Sequence, residues 1–271
     1  MSSKPVALVT GASRGIGMQT AVEFAKRGYD VAITARGEDG LKQTAQRIED
    51  AGGEALLLPG DLSDMQFIQS IVPSVVGHFG KINVVVNNAA WREIGSIRHT
   101  TPEVWDKTLR VMLTAPAFIA RDAANDMEER NIAGVIINIS SVQSKLASGV
   151  AAAYVPAKGA IDALTYELAV TYGSSGIRAV AVNPGAIDTE MSGDYANEDG
   201  ENVSDKLNAY CNDLTPLRRA GKPVEIAKTI AFLASEDAGY ITGTTIFADG
   251  GMTQQLYPYS LKHLLFPEEY Q

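Results

Sequence analysis

Short apolar runs alternate along this chain with longer segments in which apolar positions recur every three or four residues. Val6 to Thr10 has the length of a buried strand, and Val31 to Ala35, Ala55 to Leu58, Ile82 to Val86, Val135 to Ile139, Ile177 to Val182 and Thr244 to Ala248 read the same way. These seven strands are separated by helical patterns, the first over Met18 to Lys26 with Gly28 as its C-cap. Such alternation predicts an α/β chain: parallel strands, helices on both faces, and ligands bound beyond the carboxyl ends of the strands. No internal repeat, linker or low-complexity tract interrupts it, so residues 1–271 read as one domain.

Two local patterns carry chemistry. Gly11, Ala12, Ser13, Arg14, Gly15, Ile16 and Gly17 follow the first strand at once and open the first helix. A glycine turn at a helix N-terminus offers exposed N–H groups and a positive dipole to a diphosphate, although the Gly-x3-Gly-x-Gly spacing differs from the common Gly-x-Gly-x2-Gly fingerprint and a simple tight turn is the competing reading. Farther on, Tyr154 and Lys158 stand four apart with Pro156 between them. On a helix they share a face, so an ammonium can favour the ionised form of a phenol. Moving a phenol from about 10 to near 7 takes roughly 4 kcal/mol, which a close cation in a dry cleft can supply. Because proline is comfortable only in a first turn, this helix is expected to begin near Ala152 or Ala153, or else to kink there.

Taken in order, Thr10-Gly11-x3-Gly15-Ile16-Gly17, Asp61-Leu62, Asn87-Asn88-Ala89, Ser141, Tyr154-x3-Lys158, Asn183-Pro184-Gly185 and Asp249-Gly250-Gly251 resemble the short-chain dehydrogenase/reductase family from residue 5 to about 253. Each motif is loose alone, and their common register is specific. The resemblance implies a Rossmann-type doubly wound sheet of seven parallel strands and a nicotinamide-dependent oxidoreductase. By the same resemblance Tyr154 is the general acid/base, Ser141 holds the same substrate oxygen (with adjacent Ser140 as a rival), and Lys158 tunes Tyr154 and grips the nicotinamide ribose. Asp61 and Leu62 are implied at the adenine, Asn88 at the adjoining ribose, and Ile187 and Thr189 at the carboxamide. No metal is required.

Cofactor choice should be written after the second strand. Thr34, Ala35 and Arg36 stand there with no carboxylate, and Arg14 lies in the glycine turn, so two guanidinium groups suit the 2′-phosphate of NADP(H), with NAD(H) also usable. The competing reading is two solvated arginines.

The chain departs from the family in two places. Val111-Met112-Leu113 replaces a Val-Asn-Leu-like sequence, removing the fourth catalytic residue. Pro116, however, has no N–H for the carbonyl of Met112, and that free carbonyl could hold the water of a proton relay to Lys158; otherwise Met112 is core packing and the relay is impaired. Ala90 replaces a glycine and, with Trp91, reshapes the pocket wall.

Residues 190–213 read as a lid, with Glu190, Asp194, Glu198, Asp199, Glu201, Asp205 and Asp213 against the single Lys206, an acidity that suits a solvated face. Trp91, Arg92, Gln143, Ser144, Lys145 and Tyr195 are pocket-wall candidates for a small hydroxylated or anionic carbonyl or alcohol. A 3-oxoacyl-carrier-protein reductase is the alternative, then a sugar or polyol dehydrogenase, then a non-catalytic NADP(H) sensor or scaffold. The net charge of −9 argues against nucleic acid. The single Cys211 excludes an intrachain disulfide, the early first strand leaves no room for a signal peptide, and no apolar run reaches the roughly 18 residues of a membrane span, so a cytoplasmic protein is expected. Residues 254–271 are dense in Leu, Tyr and Phe, and because relatives are commonly tetramers, this tail is expected at a subunit interface, the alternative being a tail folded onto its own domain.

Overall fold

The computed structural model describes residues 3–193, 195, 196 and 199–270. Seven strands, β1 (Val6–Thr10), β2 (Asp30–Ala35), β3 (Ala55–Pro59), β4 (Val84–Asn87), β5 (Val135–Ile139), β6 (Arg178–Pro184) and β7 (Thr244–Ala248), form one parallel sheet in the order β3-β2-β1-β4-β5-β6-β7. The helices are α1 (Gly15–Lys26), α2 (Glu38–Asp50), α3 (Met65–Phe79), α4 (Pro102–Leu109), α5 (Ala115–Glu129), α6 (Tyr154–Tyr172), α7 (Ser204–Leu214), α8 (Pro223–Leu233) and α9 (Tyr259–Leu265).

Strands covered on both sides must be apolar on both, and every residue of β1 and β5 is buried. Leu8, Val85 and Ile136 point to one face and meet Ile71, Val75 and Phe79 of α3 and Ile119 and Met127 of α5. Val9, Ile33, Val86 and Ile137 point to the other and meet Phe24 of α1, Leu41 and Ile48 of α2 and Ile226 and Ile230 of α8. At about 1.5–3 kcal/mol per fully buried large aliphatic or aromatic side chain, these two layers hold the sheet in place. Strand order reverses between β1 and β4, and the connections leaving those two strands diverge to open a crevice at their carboxyl ends.

The sequence reading needs small corrections. α1 begins at Gly15 rather than Met18, because the glycine turn winds directly into the helix, with Met18 N donating to Arg14 O at 3.2 Å. β4 starts two residues later than Ile82, which is itself wholly buried, and runs on to Asn87. β6 starts at Arg178 and extends through Asn183 and Pro184, which pair with Phe247 and Ala248. α6 starts at Tyr154 with Ala153 as N-cap, so Pro156 does fall in a first turn. Between α4 and α5, Arg110–Thr114 form a π-helical turn, in which Ala115 N donates to Arg110 O five residues back.

The acidic stretch 190–213 contains more structure than a loop: a 3₁₀ turn at Glu190–Gly193 and all but the last residue of α7. Asp194 and Glu198 lie outside the described residues. After β7 the tail turns back to its own subunit. Asp213 at the end of α7 accepts from Ser260 N at 2.9 Å and Ser260 Oγ at 2.7 Å, and the Arg218 guanidinium lies 3.7 Å from the centroid of the Tyr259 ring. The outer side of this segment remains apolar: Leu256, Leu264 and Phe266 are 82%, 75% and 55% exposed.

Candidate functional site

The crevice encloses a cavity of about 470 Å³ at the carboxyl ends of the strands. Gly11, Ser13, Arg14, Gly15 and Ile16 line one end, Arg36, Asp61 and Leu62 border it, Asn88 lies between, and Ser141, Tyr154, Lys158, Ile187 and Thr189 line the rest. Every residue named in the sequence as catalytic or cofactor-binding therefore faces the cavity except Gly17, which is buried behind the turn. A Cβ on Gly17 would stand 2.3 Å from Gly11 O and 2.5 Å from Asn88 Nδ2, so this glycine permits packing rather than lining a site. Gly15, at φ +57, occupies a conformation that side chains disfavour.

The turn is braced from β4. Asn88 Nδ2 donates to Thr10 O at 2.9 Å and Gly11 O at 3.2 Å, while Thr10 Oγ1 accepts from Asn88 N and Ala89 N, both at 3.0 Å. No side chain caps the N-terminus of α1 at Arg14. Those N–H groups and the side-chain-free turn suit an anion such as a diphosphate, so the residues present fit a dinucleotide. Where Arg36 and Asp61 border the cavity, burial raises the Asp61 carboxyl, but hydrogen bonds from Ser63 and the charges of Arg36 and Lys107 outweigh it and hold the group below its usual range.

At the other end, Ser141 Oγ accepts from Gln143 N at 3.1 Å and stands close enough to the Tyr154 phenol to favour its ionised form. Ser140, its rival, gives its hydroxyl to Lys158 O at 3.1 Å and is tied to the helix backbone. Lys158 Nζ donates to Ile139 O at 2.5 Å and lies 5.5 Å from the centroid of the Tyr154 ring.

The electrostatics differ from the sequence reading. Burial pushes the Tyr154 phenol up rather than down, opposed by Ser141 and by the nearby charge of Arg92; Lys158 is not what lowers it. Burial instead brings the Lys158 ammonium down to about 8, with Asp162 opposing the shift. An apolar enclosure penalises both charged forms, so a lysine whose ammonium is drawn down toward neutrality is a weaker handle on the phenol than a solvated one.

Asn183 Nδ2, wholly buried at the end of β6, sits among four acceptors. They are Ser144 Oγ at 2.9 Å, Ser141 O at 3.1 Å and the two carboxylate oxygens of Asp162 at 3.2 and 3.3 Å. Met112 is 1% exposed and packed in the core layer, and Asn87 donates to Pro116 O at 3.3 Å and Asn138 Oδ1 at 2.9 Å. Of the wall candidates, Trp91, Arg92, Gln143 and Tyr195 line the cavity, whereas Ser144 is engaged with Asn183 and Lys145 stays outside. The Arg92 guanidinium reaches the Tyr195 hydroxyl and lies 4.4 Å from the centroid of its ring, joining the two banks of the crevice. Lys107, Leu207, Asn208, Cys211 and Met252 also line the cavity and were not singled out in the sequence. Lys107 packs 4.7 Å from the centroid of the Trp91 ring, a contact between distant segments that no local spacing announces. Burial pushes the Cys211 thiol up. Among the described residues no group of three His, Cys, Asp or Glu is arranged to hold a metal, and no helix is long and apolar enough to cross a membrane.

Comparison with known proteins agrees with this arrangement. A family model described as enoyl-(acyl carrier protein) reductase matches residues 11–253. Glucose 1-dehydrogenase 2 of Bacillus subtilis is 36% identical over 94% of this chain and 96% of its own. L-rhamnose 1-dehydrogenase (NAD(P)(+)) of a Sphingomonas species is 35% identical over 90% of this chain and 94% of its own. The solved structure of a putative short-chain alcohol dehydrogenase from Sinorhizobium meliloti superposes with a TM-score of 0.87 at 32% identity, covering 94% of this chain and 98% of that one. With the glycine turn, the Ser-Tyr-Lys cluster and relatives alike along almost their whole lengths, the chain belongs to the short-chain dehydrogenase/reductase family of NAD(P)(H)-using oxidoreductases.

Proposed function

We propose that this enzyme interconverts a small carbonyl compound and its secondary alcohol with NADP(H), Tyr154 moving the proton. The observation that carries the reading is the meeting of Ser141, Tyr154 and Lys158 in the cavity that the glycine turn also borders. The turn from Gly11 to Ile16 would hold the diphosphate, Arg14 and Arg36 the 2′-phosphate, Asp61 and Leu62 the adenine, Asn88 and Lys158 the riboses, and Ile187 and Thr189 the carboxamide. When bound, the nicotinamide supplies or accepts hydride. Burial favours the protonated Tyr154 phenol, which would give its proton to the carbonyl oxygen on reduction and regain one through the relay; on oxidation it would first pass its proton to the relay and then take the alcohol's proton as phenolate, while Ser141 holds that oxygen. Met112 places its side chain in the core, and we assign the relay water to its backbone carbonyl, whose α-helical donor Pro116 cannot supply.

For the substrate, the polar and cationic groups Gln143, Asn208 and Arg92 favour a small hydroxylated or acidic compound over a long acyl chain. The sugar dehydrogenases among the relatives lean the same way. The family model's description keeps a carrier-bound acyl thioester as the second reading. A screen of sugars, polyols, hydroxy acids, simple ketones and acyl-carrier thioesters decides, followed by absorbance of the reduced cofactor with NADP and NAD in parallel. Turnover of a sugar, polyol or hydroxy acid with preference for NADP is expected. Cofactor binding without turnover of any compound would leave a non-catalytic binding protein, and preference for NAD would overturn the assignment of Arg14 and Arg36.

A further inference from the structure

Asp162 is a buried carboxylate for which the reaction just described has no use. It lies on α6 one turn beyond Lys158, and each of the two residues is 3% exposed. Side chains four apart on a helix share a face, with Cβ atoms about 5–6 Å apart. Its hydrogen bonds come from Asn183, whose amide also reaches Ser141 O and Ser144 Oγ. An amide has only two hydrogens, so Asn183 shares them among these acceptors and its neutral dipole offsets little of the carboxylate's charge. A carboxylate taken out of water needs an opposite charge nearby, and the ammonium on the same helix face is that charge.

The surroundings of Lys158 are otherwise neutral or nearly so. From α6 it meets Asp162 and the Tyr154 ring, from β5 the Ile139 carbonyl and the Ser140 hydroxyl bonded to its own carbonyl, and from β6 the Asn183 amide stands beyond Asp162.

We infer that Asp162 is a positioning residue of the catalytic machinery, keeping Lys158 an ammonium beside Tyr154 and, through the shared Asn183 amide, fixing the chain that carries Ser141. The inference rests on the reading of Lys158 as the cation beside the proton-transfer tyrosine. It accounts for why Lys158, deprived of water, still holds its proton up to about 8: burial draws the group down and Asp162 draws it back. Without that carboxylate the ammonium would dissociate lower still, and the phenol would face a neutral amine at neutral pH.

The variant Asp162→Asn preserves shape and removes the charge. Lysine labelled with carbon-13 at Cε is followed by NMR across pH in the cofactor-free protein, the Lys158 signal being identified by its loss in Lys158→Met. In Asp162→Asn the titration midpoint should fall by about one to two pH units, the size of a through-space effect over one helical turn. In Asn183→Ala, which keeps the carboxylate, the midpoint should stay within about 0.5 units of wild type, while turnover of the best screened compound falls because Ser141 is no longer held. A midpoint that stays put in a folded Asp162→Asn overturns the inference. If the asparagine variant does not fold, Asp162→Ser, whose hydroxyl can still accept from Asn183, is titrated against the same two outcomes. The titration needs no substrate, so full activity of Tyr154→Phe would overturn the proton-transfer reading without deciding the Lys158 midpoint.

Discussion

A phenol pushed up by burial and a lysine brought down by it are an unpromising acid/base pair until something positive arrives beside them. The oxidised nicotinamide ring carries such a charge, so Tyr154 should be a better base in the cofactor complex than in the free protein. Tyr154→Phe removes only the hydroxyl. We expect turnover to fall by about a thousandfold or more, within the range attributed to a lost acid/base group, while NADP(H) affinity measured by fluorescence changes little. More than a few per cent of residual activity would sink the assignment. After β2, Arg36 already offsets the charge of Asp61. Arg36→Asp would place two carboxylates where a phosphate should sit, and we expect the preference to move from NADP toward NAD by roughly 2–3 kcal/mol in kcat/KM ratios, the scale of charge-assisted hydrogen bonds.

Two elements set these residues in place. The first turn of α1 passes so close to Gly11 that a methyl group on Gly17 has no room. Gly17→Ala should cost about 1–3 kcal/mol in urea unfolding, typical of overpacking, and weaken cofactor binding as the turn shifts. If both are unchanged, the turn is softer than this packing requires. The π-helical turn at Arg110–Thr114 delivers Met112 to the core just before Pro116. Pro116→Ala restores an N–H for the Met112 carbonyl, so we expect unchanged or higher melting temperature with kcat lowered about tenfold, a modest share of an acid/base contribution. Unchanged kcat would remove that carbonyl from the relay. The strands were legible because a parallel sheet buried on both faces writes itself as unbroken apolar runs. α7 was not, since its Asp and Asn residues merge it with the polar stretch before it, which reads as a solvated loop. Nor was the meeting of Arg92 with Tyr195, which lie 103 residues apart. The Ser-Tyr-Lys cluster was legible as a motif, but its electrostatics depended on burial, and the Asp162–Asn183 contact depended on β6 running two residues farther than its apolar core.

On the scale of the whole molecule, the tail docks on α7 of its own subunit and still presents Leu256, Leu264 and Phe266 to solvent. Exposed apolar side chains of that size are a surface a second copy can cover, at about 25 cal/mol per Å² removed from water. Deleting residues 256–271 should lower the mass measured by light scattering and weaken activity, since α7 borders the cavity. An unchanged mass with unchanged kinetics would leave the tail neither role. The cavity also holds the chain's only sulfhydryl, Cys211, with its thiol pushed up by burial. Alkylation there should therefore be slow and change with occupancy. A single thiol makes the mass spectrum a ballot, one adduct for each chain whose cleft was vacant, so ligands can be ranked by protection before any of them is known to react.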